Sequence, residues 1–173
     1  MIFNRSTVIT VKNVLSQSDR TYLIDFFEKN KVYREKNYNL LRTWQVHVDN
    51  NDLIQKEMVT RTRIAAETAM EMKLLPCRNG NLVDYVIGSK ANGHCDSVEE
   101  SNCSVITMID LSKDLVGGET YFELIEMGAK HHKVNPEPFG NGDIIMYDES
   151  MFHGVKQVLS GRRLVLVTWF KKR

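Results

Sequence analysis

The sequence predicts an α+β domain, mainly β, whose short strands close into a sandwich or barrel with N-terminal helices buttressing one sheet from outside. Three observations predict it. Two amphipathic helical patterns lie before residue 80. From Asn81 onward, short apolar or alternating runs are divided by turn signals at Gly117-Gly118, Gly140-Asn141-Gly142 and Ser160-Gly161. The run Leu164 to Trp169 is apolar on both faces, as in the middle of a covered sheet.

Taken in order, Thr7 to Val14 reads as a strand. Ser16 with Asp19 three residues on forms a capping box, opening a helix through Phe27 with Tyr22, Leu23, Phe26 and Phe27 on its apolar face. Tyr33 to Leu41 is polar and aromatic and reads as a loop. Arg42 to Val48 alternates, with Trp44, Val46 and Val48 on one face, and reads as a strand. Asp49 to Met72 carries apolar residues at helical spacing and predicts a long helix. The later strands are expected at Leu82–Ile87, Cys103–Leu111, Glu119–Leu124, Lys130–Val134, Asp143–Tyr147, Val155–Val158 and Arg163–Phe170. With 173 residues and no repeat, low-complexity tract or linker, the whole chain is expected to be one domain. Residues 1–80 would supply helical support and the first strands, and residues 81–173 the core that carries the chemistry.

Composition narrows the function classes. A 42% hydrophobic, 26% charged chain is ordinary for a globular protein. A net charge of +1 disfavours a nucleic-acid partner, which usually meets a basic excess. No apolar run is long enough to span a membrane. The stretch Met1 to Thr10 lacks the apolar core of a signal peptide. The three cysteines, Cys77, Cys95 and Cys103, form no CxxC pair, so neither a disulfide framework nor a zinc knuckle is expected. A reducing cytoplasm is the simplest compartment.

The chemistry starts at His94-Cys95-Asp96. Side chains two apart on extended backbone point to one side, so His94 and Asp96 can meet one ion while Cys95 turns away. His153 is the best source of a second imidazole. Two imidazoles and one carboxylate on one octahedral face suit Fe(II) and leave positions open. Arg163 follows ten residues after His153. Its planar fork can hold a carboxylate bidentately; alternatively it reaches water beside Arg162. Tyr85, nine residues before His94, either adds a hydrogen bond to that carboxylate or is a half-buried core tyrosine.

These residues sit in a run of motifs between Asn81 and Trp169. Tyr85-Val86-Ile87-Gly88 leads to Gly93-His94-Cys95-Asp96. Gly117-Gly118-Glu119-Thr120-Tyr121-Phe122 forms a turn and strand. Pro136 to Asp143 ends in Gly142-Asp143. His153-Gly154-Val155 runs to Gly161-Arg162-Arg163, and Trp169 follows six residues later. In this order the chain resembles the Fe(II)/2-oxoglutarate dioxygenases, most closely their prolyl 4-hydroxylase-like branch.

The resemblance implies a double-stranded β-helix, or jelly roll. It implies His94, Asp96 and His153 as iron ligands, Arg163 and Tyr85 as holders of the distal 2-oxoglutarate carboxylate, and Trp169 as a further co-substrate-side residue. It implies O2 as oxidant, succinate and CO2 as products, and hydroxylation of an unactivated C–H bond in a peptide or small-molecule substrate, with peptidyl proline first. Ascorbate dependence follows from the family alone. Halogenating relatives carry Gly or Ala where this chain keeps Asp96, so hydroxylation is favoured. Two departures bear on substrate: Ala91 stands where the branch often has Tyr, and Cys103 near where it often has Arg. Rival readings are a non-catalytic jelly-roll binding or sensor module and a cupin-like metal enzyme, which needs no carboxylate-binding arginine.

Other polar residues read blandly. His131 and His132 are adjacent, so they face opposite sides of a strand and cannot share a site. Lys31–Leu41 and Ser89–Asn102 are expected as a mobile lid, with Tyr33, Arg34, Tyr38 and Trp44 lining a substrate groove.

Overall fold

Alternation organises the molecule. In the computed structural model, which describes residues 7–49, 51–76, 80–96, 103–125 and 131–173, nearly every long strand sends one set of side chains inward and the other to the helices. The elements run β1 Val8–Val11, α1 Gln17–Asn30, β2 Val32–Asn37, β3 Leu40–His47, α2 Leu53–Met70, β4 Gly80–His94 and β5 Cys103–Leu111. They continue β6 Val116–Gly117, β7 Thr120–Ile125, β8 His131–Val134, β9 Ile144–Asp148, β10 Phe152–Val155, β11 Val158–Ser160 and β12 Arg163–Phe170.

The main sheet orders as β1-β9-β5-β12-β4-β10-β7-β8, with β3 and β2 continuing from β4. The described pairings are antiparallel. β4 is the hinge of the design. Its first half pairs with β12, from Arg163↔Tyr85 to Thr168↔Gly80. Its second half pairs with β10, at His153↔His94 and Val155↔Ala91. Between them the strand bulges at Val86–Ser89 opposite Arg42, where the Ser89 hydroxyl accepts from Val86 N at 3.0 Å and donates to the Arg42 carbonyl. Gly88 takes φ +87° there, a conformation that favours glycine. One strand thus passes from the larger sheet into the smaller, and the two faces close into a jelly roll.

The interior between the sheets holds Val83, Tyr85, Ile106, Phe122, Tyr147 and Val165. The outer face of the larger sheet carries Leu82, Ile109, Leu164 and Leu166 against Leu23 and Phe27 of α1 and Met58 of α2. Ala66 and Met70 of α2 cover Val105, Ile144, Met146 and Phe170. Truncating a fully buried aromatic such as Phe27 costs about 3–5 kcal/mol in such a setting. Arg162, on the outer side, pairs with Asp84 at 2.9 Å and with Glu28 of α1 at 2.7 Å. It ties α1 to β4 and β12.

The helices form where expected. Ser16 and Asp19 make the reciprocal capping box of α1, which runs on to Asn30. α2 starts later than expected because Asp52 caps it by accepting from Ile54 N and Gln55 N; it ends at Glu71 in the left-handed region.

Three expectations need correction. Tyr33–Leu41 is no loop. It is mostly the β2–β3 hairpin, paired from Val32↔Gln45 to Asn37↔Leu40. β2 is an edge strand exposed along almost its whole length, so it has no apolar face to give it an alternating signal. The lid expected at Lys31–Leu41 is therefore a paired ladder. Ser89–His94 likewise belongs to β4, while residues 97–102 of the second expected lid lie outside the described residues. Finally, Val155–Val158 is not one strand: β10 ends at Val155, and Lys156 N donates to the Glu119 carbonyl before β11 begins. No helix among the described residues is long and apolar enough to cross a membrane.

Candidate active site

His94 ends β4, Asp96 follows it, and His153 sits within β10 directly opposite His94. Strand pairing therefore closes a gap of nearly sixty residues in the chain. Nε2 of His94 lies 3.4 Å from Asp96 Oδ1, and Nε2 of His153 lies 3.8 Å from the same oxygen. One ligand atom from each of the three falls within 4.8 Å of the others, a spacing that can hold a metal ion. Both imidazoles are oriented from behind. Nδ1 of His94 is 2.7 Å from the Asn92 carbonyl, and Nδ1 of His153 is 2.9 Å from the Met151 carbonyl. Those contacts place the proton on Nδ1 and turn the Nε2 lone pair to the centre.

Asp96 is held as firmly. Its Oδ2 accepts from the Ser104 hydroxyl at 2.5 Å and lies 3.5 Å from the Tyr147 phenol. Burial works to raise its pKa. Hydrogen bonding with His94, the charge on His153, and hydrogen bonds from Ser104 and the Trp169 indole outweigh it and hold the carboxyl at about 2. Burial pushes His153 below the ordinary imidazole value, with Asp96 opposing. For His94 burial also pulls down, but the hydrogen bond to Asp96 wins and raises it. The ring centres of His94 and His153 are 4.5 Å apart, and Tyr147 packs 4.6 Å from His153.

Arg163 opens β12 and is 2% exposed. It does not escape to water beside Arg162. Nη2 donates to Thr120 Oγ1 at 2.8 Å, and the guanidinium carbon lies 4.9 Å from the Tyr85 ring centre. Nη1 is buried with no hydrogen-bond partner. Burial lowers the Arg163 pKa from its ordinary value, with Tyr85 and Tyr147 opposing. Burial pushes the Tyr85 phenol up to about 12, so it stays a neutral donor. An unpaired guanidinium N–H in a buried setting is costly, and a carboxylate is the group that relieves it.

His94, Asp96, His153, Tyr147, Arg163 and Tyr85 border one cavity of about 860 Å³, which also touches Trp169. Trp169 shares the inward face of β12 with Arg163, Val165 and Val167, but it meets Asp96 rather than the guanidinium. Arg34 and Tyr38 line the cavity as expected, whereas Tyr33 and Trp44 pack edge-on at 5.2 Å outside its lining. His132 is exposed on β8, away from the cavity lining.

Three functional candidates escaped the sequence reading: Thr120, Ser104 and Tyr147. Thr120 stood in the Gly117–Phe122 motif, but its role needs the fold to bring β7 beside β12. Ser104 was detectable as one of three polar residues, with Thr107 and Asp110, in an otherwise apolar strand. It also explains the departure at Cys103, which faces outward onto Met70 at 3.7 Å and leaves Ser104 facing the site. Ala91 is 4% exposed and borders the cavity, where its small side chain leaves room.

No family model matches the chain, and no curated protein matches it. Solved structures do. A Pseudomonas putida prolyl-4-hydroxylase is similar over 96% of this chain and 92% of its own, with TM-score 0.70 at 14% identity. A Trichoplax adhaerens prolyl hydroxylase, in complex with a hypoxia inducible factor peptide fragment, gives TM-score 0.67 at 11% identity over 96% and 84%. The non-heme alpha ketoglutarate dependent epimerase SnoN from nogalamycin biosynthesis gives 0.72 at 13% identity over 96% and 78%. The fold of this chain is the jelly roll of the 2-oxoglutarate and Fe(II) oxygenases.

Proposed function

We propose that the chain is an Fe(II)- and 2-oxoglutarate-dependent oxygenase that hydroxylates an unactivated C–H bond. The observation that carries this reading is the pairing of two features in one cavity. A His-Asp-His cluster lies on one wall, and a buried Arg163 whose Nη1 lacks a partner lies on another. A metal-binding or sensor jelly roll has no need of the second.

The donor set fits the metal: two Nε2 atoms and one carboxylate oxygen suit Fe(II). When bound, iron and 2-oxoglutarate supply the oxidising power, O2 being consumed as the co-substrate loses CO2 to give succinate and one oxygen atom enters the substrate. His94, Asp96 and His153 would hold the iron. Arg163 and the neutral Tyr85 phenol would hold the distal carboxylate, with Thr120 fixing the plane of the guanidinium. Trp169, Ser104 and Tyr147 position Asp96. Val83, Ile106 and Val165 keep the floor of the cavity apolar and exclude water.

Peptidyl proline is the first candidate substrate, supported by the two prolyl hydroxylase neighbours, one of them holding a peptide. Free amino acids and small metabolites are the second, because the neighbouring epimerase has the same fold. Ascorbate is the reductant to add in assays. The thiols of Cys95 and Cys103 are free, which fits a reducing cytoplasm.

The test is succinate formation from 2-oxoglutarate with Fe(II), O2 and ascorbate. Wild type is expected to turn over slowly without substrate and faster with one. Asp96→Ala is expected to be inactive. Equal rates in the two proteins would refute the proposal.

A further inference from the structure

Strand alternation sorts the charges of β2. Its sequence is Val32-Tyr33-Arg34-Glu35-Lys36-Asn37. Arg34 and Lys36 line the cavity mouth. Glu35 faces the other way, where it accepts from the Tyr33 phenol at 2.7 Å and pairs with Arg42 at 3.3 Å. Among the described residues lining the cavity, Asp96 is the one acid, and His94 and Ser104 already engage it. Neither Arg34 nor Lys36 has a carboxylate partner among the described residues. Among the described residues the entrance is therefore of one sign.

The co-substrate does not account for this charge. Arg34 pairs with Thr43, Thr43 with Tyr85, and Tyr85 with Arg163. Three strand spacings separate the backbones of Arg34 and Arg163 by roughly 14 Å. A five-carbon diacid anchored on Arg163 and reaching toward the His94–Asp96–His153 cluster leaves Arg34 and Lys36 to a different anion.

A second observation concerns Asn81, elsewhere in the cavity lining. Asn81 Oδ1 is buried and has no hydrogen-bond partner. Gln45, which also lines the cavity two residues along β3 from His47, the β3 partner of Asn81, is engaged at both ends of its amide, accepting from Asn37 Nδ2 and donating to Thr43 Oγ1, each at 2.6 Å. A free buried acceptor in that lining marks a place for a donor from outside the chain.

The geometry points to a substrate that carries a carboxylate, bound at the cavity mouth by Arg34 and Lys36, with an N–H or O–H group donating to Asn81. This deepens the oxygenase reading and rests on it. An acidic peptide side chain and a free organic acid share the required chemistry.

Calorimetry on the full chain loaded with Fe(II) and 2-oxoglutarate under argon tests it. Three probes are used: a proline-centred decapeptide flanked by glutamates, the same decapeptide flanked by lysines, and N-acetylglutamate. At least one acidic probe is expected to bind roughly tenfold or more tighter than the lysine peptide, and to weaken as salt rises. Which acidic probe binds identifies the source of the carboxylate. The R34E/K36E double variant, altered at two exposed side chains, is expected to lose that preference. The proposal is overturned if the lysine peptide binds as well, if no acidic probe binds, or if the preference survives in the double variant. The visible absorption of the iron–2-oxoglutarate chelate, recorded in the same samples, separates the two readings. Chelate without acidic preference sinks the substrate inference alone; no chelate sinks both.

Discussion

Arg163 and Tyr85 face each other across the β12–β4 ladder, with the guanidinium carbon 4.9 Å from the centre of the phenol ring. Both are almost fully buried, at 2% and 4% exposure. The ring and Thr120 fix the guanidinium plane and leave Nη1 unpartnered. On the proposed reading the carboxylate site is formed before its ligand arrives, so its polar cost is carried by the empty protein.

That cost is measurable. Arg163→Met is expected to leave the ligand-free protein as stable as wild type or more so, by about 1 kcal/mol or a few degrees in Tm, because a buried and incompletely paired charge is exchanged for apolar volume. 2-Oxoglutarate should then raise the Tm of wild type and not of the variant. Arg163→Lys, which keeps charge but loses the fork, should raise the KM for 2-oxoglutarate about tenfold or more. Thermal melts with and without co-substrate check both points.

Gly154 is a second sensitive position because it follows His153 directly. A Cβ there would lie 2.4 Å from the Tyr121 hydroxyl and 2.5 Å from its ring. Gly154→Ala is expected to cost about 1–3 kcal/mol through overpacking and to weaken Mn(II) binding by displacing His153. Adding Tyr121→Ala should recover much of both losses. Metal titration and melting of the two variants decide it.

Acid should loosen α1 through Asp19. Hydrogen bonds from the Arg61 side chain, at 2.7 and 2.9 Å, lead the effects that hold Asp19 at about 2, with Ser16 assisting and burial opposing. A depressed folded-state pKa gives stability that is present above the unfolded value near 3.8 and lost as pH falls through about 2. Arg61 is partly exposed, which screens the pair. Asp19→Ala is therefore expected to cost about 1–2 kcal/mol at pH 7, most of it from the lost cap. The gap to wild type should narrow between pH 4 and pH 2 in denaturant titrations.

Much of this was legible in the sequence where one physical constraint acted locally. Arg163, Val165, Val167 and Trp169 alternate with Leu164, Leu166 and Phe170 because β12 is covered on both faces. The capping box at Ser16 and Asp19 declared α1 for the same local reason. The HxD spacing put His94 and Asp96 on one side. What stayed hidden depends on partners distant in the chain. β2 carries polar residues on both faces because it is an edge, so no period betrays it. Thr120, Ser104 and Tyr147 acquire roles only once β7, β5 and β9 are brought around the cavity. The turn of β4 from one sheet into the other shows in sequence only as Gly88 and Ser89, a signal shared with any loop.

The most direct test of the proposed iron and co-substrate site is the anaerobic addition of 2-oxoglutarate to the Fe(II)-loaded protein, followed by visible absorption. Wild type is expected to show a weak charge-transfer band, Asp96→Ala no band, and Arg163→Met a band only at much higher co-substrate. A wild-type protein that binds Fe(II) yet develops no band at any 2-oxoglutarate concentration would contradict it.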